Sequence, residues 1–304
     1  MGTKHLDDDL KEVNEYIGRF APTPSGGLHL GSLMTAVASF VDAKAEKGDW
    51  ILRIDDIDKP RVVKGAEYQI LKTLEIHGLE WDGPVAHQSD HMEHYRAALA
   101  SLKELDLFFY CTCSRKSLRK TNSYSGKCRT RKLPITNSAI RLTVDSRIWE
   151  TSDLIQGNYY EQLNKTVGDF VIWRRDDIPS YQLAVVVDDN LKKVNHIVRG
   201  FDLLDNVGRQ LYLLDSLGQT APRYLHVPTI NDAKHTKLSK HDDASVVNNR
   251  FPERNLQTVL QLLGQSLPSY LKNSNVHELL EWAKVNWQRS ALPKNSCIPN
   301  YIGI

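Results

Sequence analysis

The chain has 304 residues, 41% hydrophobic and 25% charged, with 39 lysines and arginines against 37 aspartates and glutamates. That composition excludes intrinsic disorder, and the length gives one large domain or two smaller ones. A formal net charge of +2 makes no global case for nucleic-acid binding, so any such case rests on where the charges cluster. The aliphatic run Leu183-Ala-Val-Val-Val187 is far too short to cross a bilayer, and the first residues carry Asp7, Asp8 and Asp9 instead of a basic and then apolar signal. A cytoplasmic location follows as the expectation. Three of the four cysteines, at 111, 113 and 128, are closely spaced and suit a reducing compartment better than a disulfide framework.

In chain order, a short strand at Tyr16 to Phe20 runs into Pro22-Thr-Pro-Ser-Gly-Gly-Leu-His-Leu-Gly-Ser32. Two prolines and two glycines stiffen and then bend the chain before a helix carrying Leu30, Leu33, Met34, Val37, Val41 and Ala45 at helical spacing. A Gly turn between strand and helix is an anion site, because the helix aims free N–H groups and its positive dipole end at the turn. His29 can either cap the helix or bond a phosphate oxygen, and Gly31 lets a flat ring lie against bare backbone. The strand Trp50 to Ile54 closes on Asp55, Asp56 and Asp58, at the strand end where parallel sheets bind ligands. Helices follow through Ala66 to Leu74 and from about Met92 to Leu105, an alternation that predicts a parallel sheet with right-handed crossovers.

From Tyr110 to about Asn164 the chain turns polar, basic and strand-poor except for Ala139 to Val144, and reads as an insertion. Asp169 to Arg175, Tyr181 to Val187 and Val194 to Arg199 read as core strands. Asp205 to Leu217 is helical, His226 to Ile230 is strand-like, and the basic loop Lys237-Leu-Ser-Lys-His241 follows. Helices around Leu256 to Leu263 and Val276 to Trp287 form a tail. The expected divisions are an N-terminal extension (1–15), two halves of a catalytic domain (16–110 and 166–250), an insertion with a metal site (111–165) and a helical C-terminal module (251–304).

Leu28-His-Leu-Gly-Ser32 together with Lys237-Leu-Ser-Lys240 resembles the paired signatures of class I aminoacyl-tRNA synthetases. Arg19-Phe-Ala-Pro-Thr-Pro-Ser-Gly26, Leu52-Arg-Ile-Asp-Asp-Ile-Asp58 and Ile197-Val-Arg-Gly-Phe-Asp-Leu-Leu204 narrow the resemblance to the glutamyl-tRNA synthetase lineage, over residues 16 to about 246. The resemblance implies an α/β fold with a Rossmann-type catalytic domain. It also implies a glutamate site of Arg19, Phe20, Ala21, Pro22, Thr23, Asp55, Tyr181 and Arg199. The two guanidinium groups suit carboxylates, which they meet in a bidentate way. Asp55 departs from the lineage, which has Glu there to meet the substrate ammonium, and Asp is one methylene shorter. Asp56 and Asp58 are expected as loop caps or as partners for Arg53 and Arg61. ATP is expected on His29, Gly31, Lys237, Ser239 and Lys240, with Mg²⁺, and His29 and Lys240 are the catalytic candidates.

Cys111-Thr-Cys113 and Cys128 alone leave cytosolic thiols and a metal site both open. With Tyr124 they match the Cys-x-Cys, Tyr, Cys set that ligates zinc in glutamyl-queuosine tRNA(Asp) synthetases, short relatives in this lineage. Only about sixty residues follow the Lys-Leu-Ser-Lys loop, too few for a full anticodon-binding module, and this points to the same relatives. The resemblance implies activation of L-glutamate by ATP without tRNA, then transfer to the queuosine base in the anticodon of tRNA(Asp). Alternatives are a truncated glutamyl-tRNA synthetase charging an acceptor end, and a non-catalytic paralogue that binds glutamate or tRNA. Eight lysines and arginines and no acid lie between Arg115 and Lys132, either as a solvated surface or as a phosphate-tracking patch. No membrane partner is expected, and the protein is expected to be a monomer.

Overall fold

The computed structural model describes residues 15–114, 118, 123–231, 246–294 and 297–299. Its centre is a parallel sheet built from β1 (Ile17–Phe20), β2 (Asp49–Ile54), β3 (Ala86–His87), β9 (His196–Gly200) and β10 (Arg223–Val227), in the order β10-β9-β1-β2-β3. The chain winds outward from β1 in one direction through α1 (Leu30–Ala45), β2, α2 (Ala66–Ile76) and β3. After a long excursion it returns on the other side of β1, through α5 (Tyr181–Leu191), β9, α6 (Val207–Ser216) and β10. The winding reverses between β1 and β9, so a crevice opens there beyond the carboxyl ends of the strands.

The excursion carries α3 (Met92–Glu104), β4 (Phe108–Cys111), β5 (Ala139–Leu142), β6 (Trp149–Asp153), β7 (Gly157–Glu161), the short α4 (Leu163–Thr166) and β8 (Phe170–Trp173). Strands β4, β5 and β8 make an antiparallel sheet, and β6 and β7 a hairpin. The expectation of a strand-poor insertion is therefore corrected. The hairpin leaves little trace in the sequence because it is polar and mostly solvated, so its alternation carries no run of apolar residues.

A second correction concerns Tyr181 to Val187, expected as a core strand and found in helix α5. Ser180 caps it by accepting from the Leu183 N–H, and every residue from Gln182 to Asp189 is buried. A helix buried nearly all round shows no apolar stripe, so a short aliphatic run cannot be told from a strand by periodicity. Tertiary burial overrides the strand preference of three successive valines. The expected strand His226 to Ile230 divides at Pro228 into the end of β10 and β11 (Thr229–Asn231), which pairs with β12 (Cys297–Pro299).

Alternation along the strands divides the core. Phe20, Trp50, Leu52, Val198, Leu225 and Val227 face α1 and, beyond it, α7 (Pro252–Leu262) and α8 (Val276–Asn286). The other face meets α5 and α6, and a further cluster joins those helices to α3, β5 and β8. The C-terminal helices thus belong to the same core as α1. One buried carboxylate fastens the segment after them: Asp42 in α1 accepts from Tyr16 Oη at 2.6 Å, Trp287 Nε1 at 2.8 Å and Arg289 Nε at 2.6 Å. Asp42→Ala leaves three donors without their acceptor, one of them charged. It is expected to lower the unfolding free energy by about 3 kcal/mol, read as a lower urea midpoint at an unchanged slope. An unshifted midpoint would show that Asp42 is not the fastening.

Candidate active site at the strand switch point

Three arginines occupy the alternate positions that face α5: Arg19 on β1, Arg53 on β2 and Arg199 on β9, all at most 5% exposed. Buried guanidinium groups need counter-charges, and α5 supplies two of them. Asp189 takes Arg53 Nη1 at 2.6 Å and Arg19 Nε at 3.4 Å. Asp188 lies 3.6 Å from Arg53 Nε and is fixed from its other side by Tyr95 Oη (2.7 Å), His91 Nδ1 (2.8 Å) and Gln88 Nε2 (2.7 Å). Burial alone would raise Asp189, but Arg19 and Arg53 hold its carboxyl below the usual range.

Asp55 follows β2 and turns inward to Arg53 Nε at 2.7 Å. Burial pushes its carboxyl up to about 6 against the pull of Arg53. Asp56 caps the Ser89 backbone (2.9 Å) and hydroxyl (2.6 Å), and Asp58 pairs with Arg174 at 3.3 Å. The loop-cap expectation for Asp56 thus describes what is seen. The expected pairing of Asp56 and Asp58 with Arg53 and Arg61 is corrected, because Arg53 points into the sheet face while these carboxylates point along the surface.

Arg199 differs from the other two arginines. Its Nε donates to His226 Nε2 at 2.9 Å and its Nη1 to Gln210 Oε1 at 2.8 Å, both neutral partners; its buried Nη2, like that of Arg53, has no hydrogen-bond partner among the described residues. Burial keeps His226 below the usual histidine range, so it stays neutral, giving Nδ1–H to Asp153 at 2.6 Å and accepting from Arg199. Asp153 ends β6 and also receives the Ile155 and Gln156 N–H groups of its own hairpin turn. Tyr181 stands at the first turn of α5, 43% exposed, and its phenol feels Arg199, Asp55, Arg19 and Asp189. Arg19, Asp55, Tyr181 and Arg199, distant in sequence, therefore converge at the β1–β9 crevice. Phe20 turns its ring the other way, onto Trp50 in the core, and can offer the crevice only backbone.

The loop after β1 runs across this crevice. Asp55 N–H donates to Pro22 O at 3.0 Å and Ser25 N–H to Thr23 O at 2.8 Å. His29 caps α1, its Nδ1 accepting from the Ser32 N–H at 3.2 Å and its Nε2 lying 2.9 Å from the Ser32 hydroxyl. A Cβ on Gly31 would stand 3.2 Å from His29 Cε1, so the ring against this bare backbone is the histidine's own. Gly27 is needed where Val246 crosses the loop, since a Cβ there would come within 2.7 Å of Val246 Cγ1. Lys237, Ser239 and Lys240 lie outside the described residues, as do 1–14 of the N-terminal extension.

Sequence reasoning missed Asp188, Asp189, Asp153, His226 and Gln210. The available signal was charge in an apolar context, Asp188-Asp189 directly after the valine run. A cavity of about 590 Å³ opens at the opposite, N-terminal strand ends between Ile17, Asn195 and Pro222, and it touches this cluster only from behind at Asp189, Gln210 and Tyr224.

In the insertion, the sulfurs of Cys111, Cys113 and Cys128 lie within 4.8 Å of one another. Cys113 and Cys128 are 3.6 Å apart, and the Tyr124 hydroxyl is 3.6 Å from Cys111 Sγ. A tetrahedral ion with metal–sulfur bonds of ~2.3 Å separates its ligands by roughly 3.8 Å, so the donor set fits. Burial opposes ionisation of Cys111, but Tyr124, the Cys113 N–H and Arg141 bring its thiol down to about 7. Arg141 Nε reaches that sulfur at 3.2 Å, with its guanidinium 4.0 Å from the Tyr124 ring centroid. Arg129, one cation of the basic run, is used internally: it forks onto Asp169 at the base of β8.

Residues 16–281 match the family model of class I tRNA synthetases (E and Q), catalytic domain. The chain belongs to that family of class I tRNA synthetases, and it is a ligase with their Rossmann-type catalytic fold. It is 45% identical over 281 residues, 92% of its own length and 96% of theirs, to the Glutamyl-Q tRNA(Asp) synthetase of Ectopseudomonas mendocina. To the protein of the same description from Pseudomonas aeruginosa it is 44% identical over 288 residues, 94% of this chain and 98% of that one. A crystal structure of a glutamate tRNA ligase from Elizabethkingia meningosepticum in complex with its amino acid superposes with a TM-score of 0.78 at 25% identity. That alignment covers 92% of this chain, which spans 66% of the ligase. Among the described residues, no helix is long and apolar enough to cross a membrane.

Protein purified without added metal is expected to carry about one equivalent of a thiophilic divalent ion by elemental analysis, and Cys128→Ser to lose it. A metal-free wild type would mark the three sulfurs as ordinary thiols.

Proposed function

We propose that the protein activates L-glutamate with ATP in the absence of tRNA and transfers the glutamyl group to the queuosine base in the anticodon of tRNA(Asp). The observation that carries this reading is the convergence of Arg19, Asp55, Tyr181 and Arg199 at the switch-point crevice, with Arg199 Nη2 open. The near full-length similarity to proteins described as Glutamyl-Q tRNA(Asp) synthetase supports the acceptor.

Arg199 offers a charged donor that forms no ion pair among the described residues, and it meets a substrate carboxylate with Tyr181 beside it. Arg19, half neutralised by Asp189, lies on the adjacent strand. Asp55 receives the ammonium, and its union with Arg53 shortens its reach further than loss of one methylene would. Activation needs no general base, because the α-carboxylate oxygen already attacks the α-phosphorus. The new C–O–P linkage forms as the bond to pyrophosphate breaks, so the protein has to position the groups and neutralise charge. His29 and the N-terminus of α1 receive phosphate oxygens from one side, and Lys240, with Lys237 and Ser239, closes from the other. Mg²⁺ entering with ATP is held mostly by phosphate oxygens and water and offsets their charge. Cys111, Cys113, Tyr124 and Cys128 would hold one structural Zn²⁺, which would tie Tyr124 and Cys128 to the end of β4. The expected division at 16–110, 111–165, 166–250 and 251–304 goes with this reading, as does a monomer.

Labelled glutamate, ATP and tRNA(Asp) with or without queuosine test the reading directly. Label is expected on the queuosine-containing tRNA alone, and glutamate-dependent ATP–pyrophosphate exchange is expected without any tRNA. Lys240→Ala is expected to reduce that exchange to under about one hundredth. Labelling independent of queuosine would sink the reading.

The Asp55 carboxyl adds a pH signature. It accepts an ammonium only when ionised, so kcat/KM for glutamate in exchange is expected to fall as pH drops through about 6 and to level off above it. Asp55→Asn is expected to remove this inflection and to lower the plateau about 10- to 100-fold. A profile unaltered by the substitution would assign the ammonium to another group.

A further inference from the structure

We propose that the exposed strap Lys59-Pro-Arg-Val-Val-Lys64, with Tyr68 in the first turn of α2, is the surface on which the RNA loop docks beside the activation crevice. The inference rests on the reading above and extends it, naming where the nucleic-acid substrate lies.

The strap is held against the site loop. Val63 N–H donates to Pro24 O at 2.9 Å, just as Asp55 N–H donates to Pro22 O, so the segment from 55 to 63 tracks the loop from 22 to 24. Pro60 sits inside a single 3₁₀ turn closed by Arg61 N–H to Asp58 O (2.8 Å) and Val62 N–H to Lys59 O (3.1 Å). A fixed φ and two local bonds make it a preformed surface, which reduces the ordering cost of binding.

Its chemistry is two-fold. Lys59, Arg61 and Lys64 are exposed and form no ion pair among the described residues, and no acid occurs between Asp58 and Glu67. The flanking carboxylates are committed elsewhere: Asp55 to Arg53, Asp56 to Ser89, Asp58 to Arg174 and Glu67 to His87. Between and beside the cations stand apolar groups held out in water, with Val62 40%, Val63 52% and Tyr68 69% exposed. Across the site loop, Val246 is 56% exposed where it crosses Gly27. Isolated exposed apolar side chains are ordinary, but here they alternate with unpaired cations along the lip of the crevice. A single-stranded loop presents that same pair of features, phosphates for the cations and splayed bases for the valines and the tyrosine ring. An acidic peptide would satisfy only the charges.

The test compares wild type with Lys59→Glu/Arg61→Glu/Lys64→Glu, the milder triple alanine variant, and Tyr68→Ala. Each is assayed for tRNA-independent ATP–pyrophosphate exchange and for filter binding of queuosine-containing tRNA(Asp) across a KCl series. Exchange is expected to stay within about twofold. Both triple variants are expected to raise the tRNA Kd about tenfold or more, and to make the log–log salt slope shallower by about 2, near the value for three single-strand phosphate contacts. Tyr68→Ala is expected to raise Kd about fivefold or more with the slope unchanged, as loss of one stacked base would. An unchanged Kd and slope in the alanine triple variant overturns the proposal. So does wild-type binding of poly-glutamate as tight as that of tRNA, which would point to an acidic protein partner. If wild type shows exchange and binds the tRNA but leaves queuosine unlabelled, the proposed function fails while the strap is still judged by Kd and slope.

Discussion

Asp189 holds the structure and the site together. A parallel sheet with three arginines on one face cannot be covered by an apolar helix, because taking guanidinium groups out of water without partners costs several kcal/mol each. Helix α5 meets this demand with Asp188 and Asp189, and those contacts fix its height and rotation over β1 and β2. Tyr181, two turns earlier on the same helix, is thereby set over the crevice. Counting Asp55, the buried cluster has three carboxylates against three guanidinium groups. The contacts are unequal, however. Arg19 and Arg53 share the aspartates, whereas Arg199 donates to a neutral histidine and an amide and lies over the Tyr224 ring. Uncompensated positive charge is therefore concentrated at one strand end, in a low-dielectric setting and with no reorganisation needed when an anion arrives.

Elements outside the nucleotide-binding scaffold keep it there. Arg199 is aimed by His226, His226 by Asp153, and Asp153 by the turn of a hairpin in the insertion. All of these side chains are buried, so each fixes both the tautomer and the direction of the next. The cysteine cluster is tied into the same body. Arg141 bridges Cys111 Sγ to the Asp169 carbonyl, and the Asp169 carboxylate takes Arg129 and the Val144 N–H. A metal ion at the sulfurs would brace β4 and β5, and through β8 the layer that packs on α5.

What could be read in the sequence was local and spaced. The Gly-Pro turn, the helix after it and the strand closing on Asp55 needed only neighbouring residues, and the structure has them within a residue or two. Arg19, Asp55, Tyr181 and Arg199 came from motifs and do converge, yet their convergence required the chain reversal at β1. Helix α5 reads as a strand in the sequence because burial on all sides erases the periodicity that distinguishes helix from strand, although Ser180 ahead of the run is a cap signal. The partners Asp189, His226 and Asp153 were invisible for a different reason. A buried charge is defined by what it faces, and its partner lies tens of residues away on another element.

The acidic motif after β2 shows how one short stretch serves two surfaces. Asp55 turns inward because β2 alternation brings Arg53 to the sheet face and the next carboxylate falls beside it. Asp56 and Asp58, no longer in a strand, project sideways and are claimed by Ser89 and Arg174, at the start and end of the excursion that carries the insertion. Those two anchors oblige the chain to turn outward at Pro60, and the backbone bond from Val63 to Pro24 then lays it along the site loop. A carboxylate left free at 56 or 58 would have neutralised the cations that follow. Because both are spent on holding the turn, a motif rich in acid ends in a lip that is purely basic and apolar, within a few residues of the buried cluster of Arg19, Arg53 and Asp55.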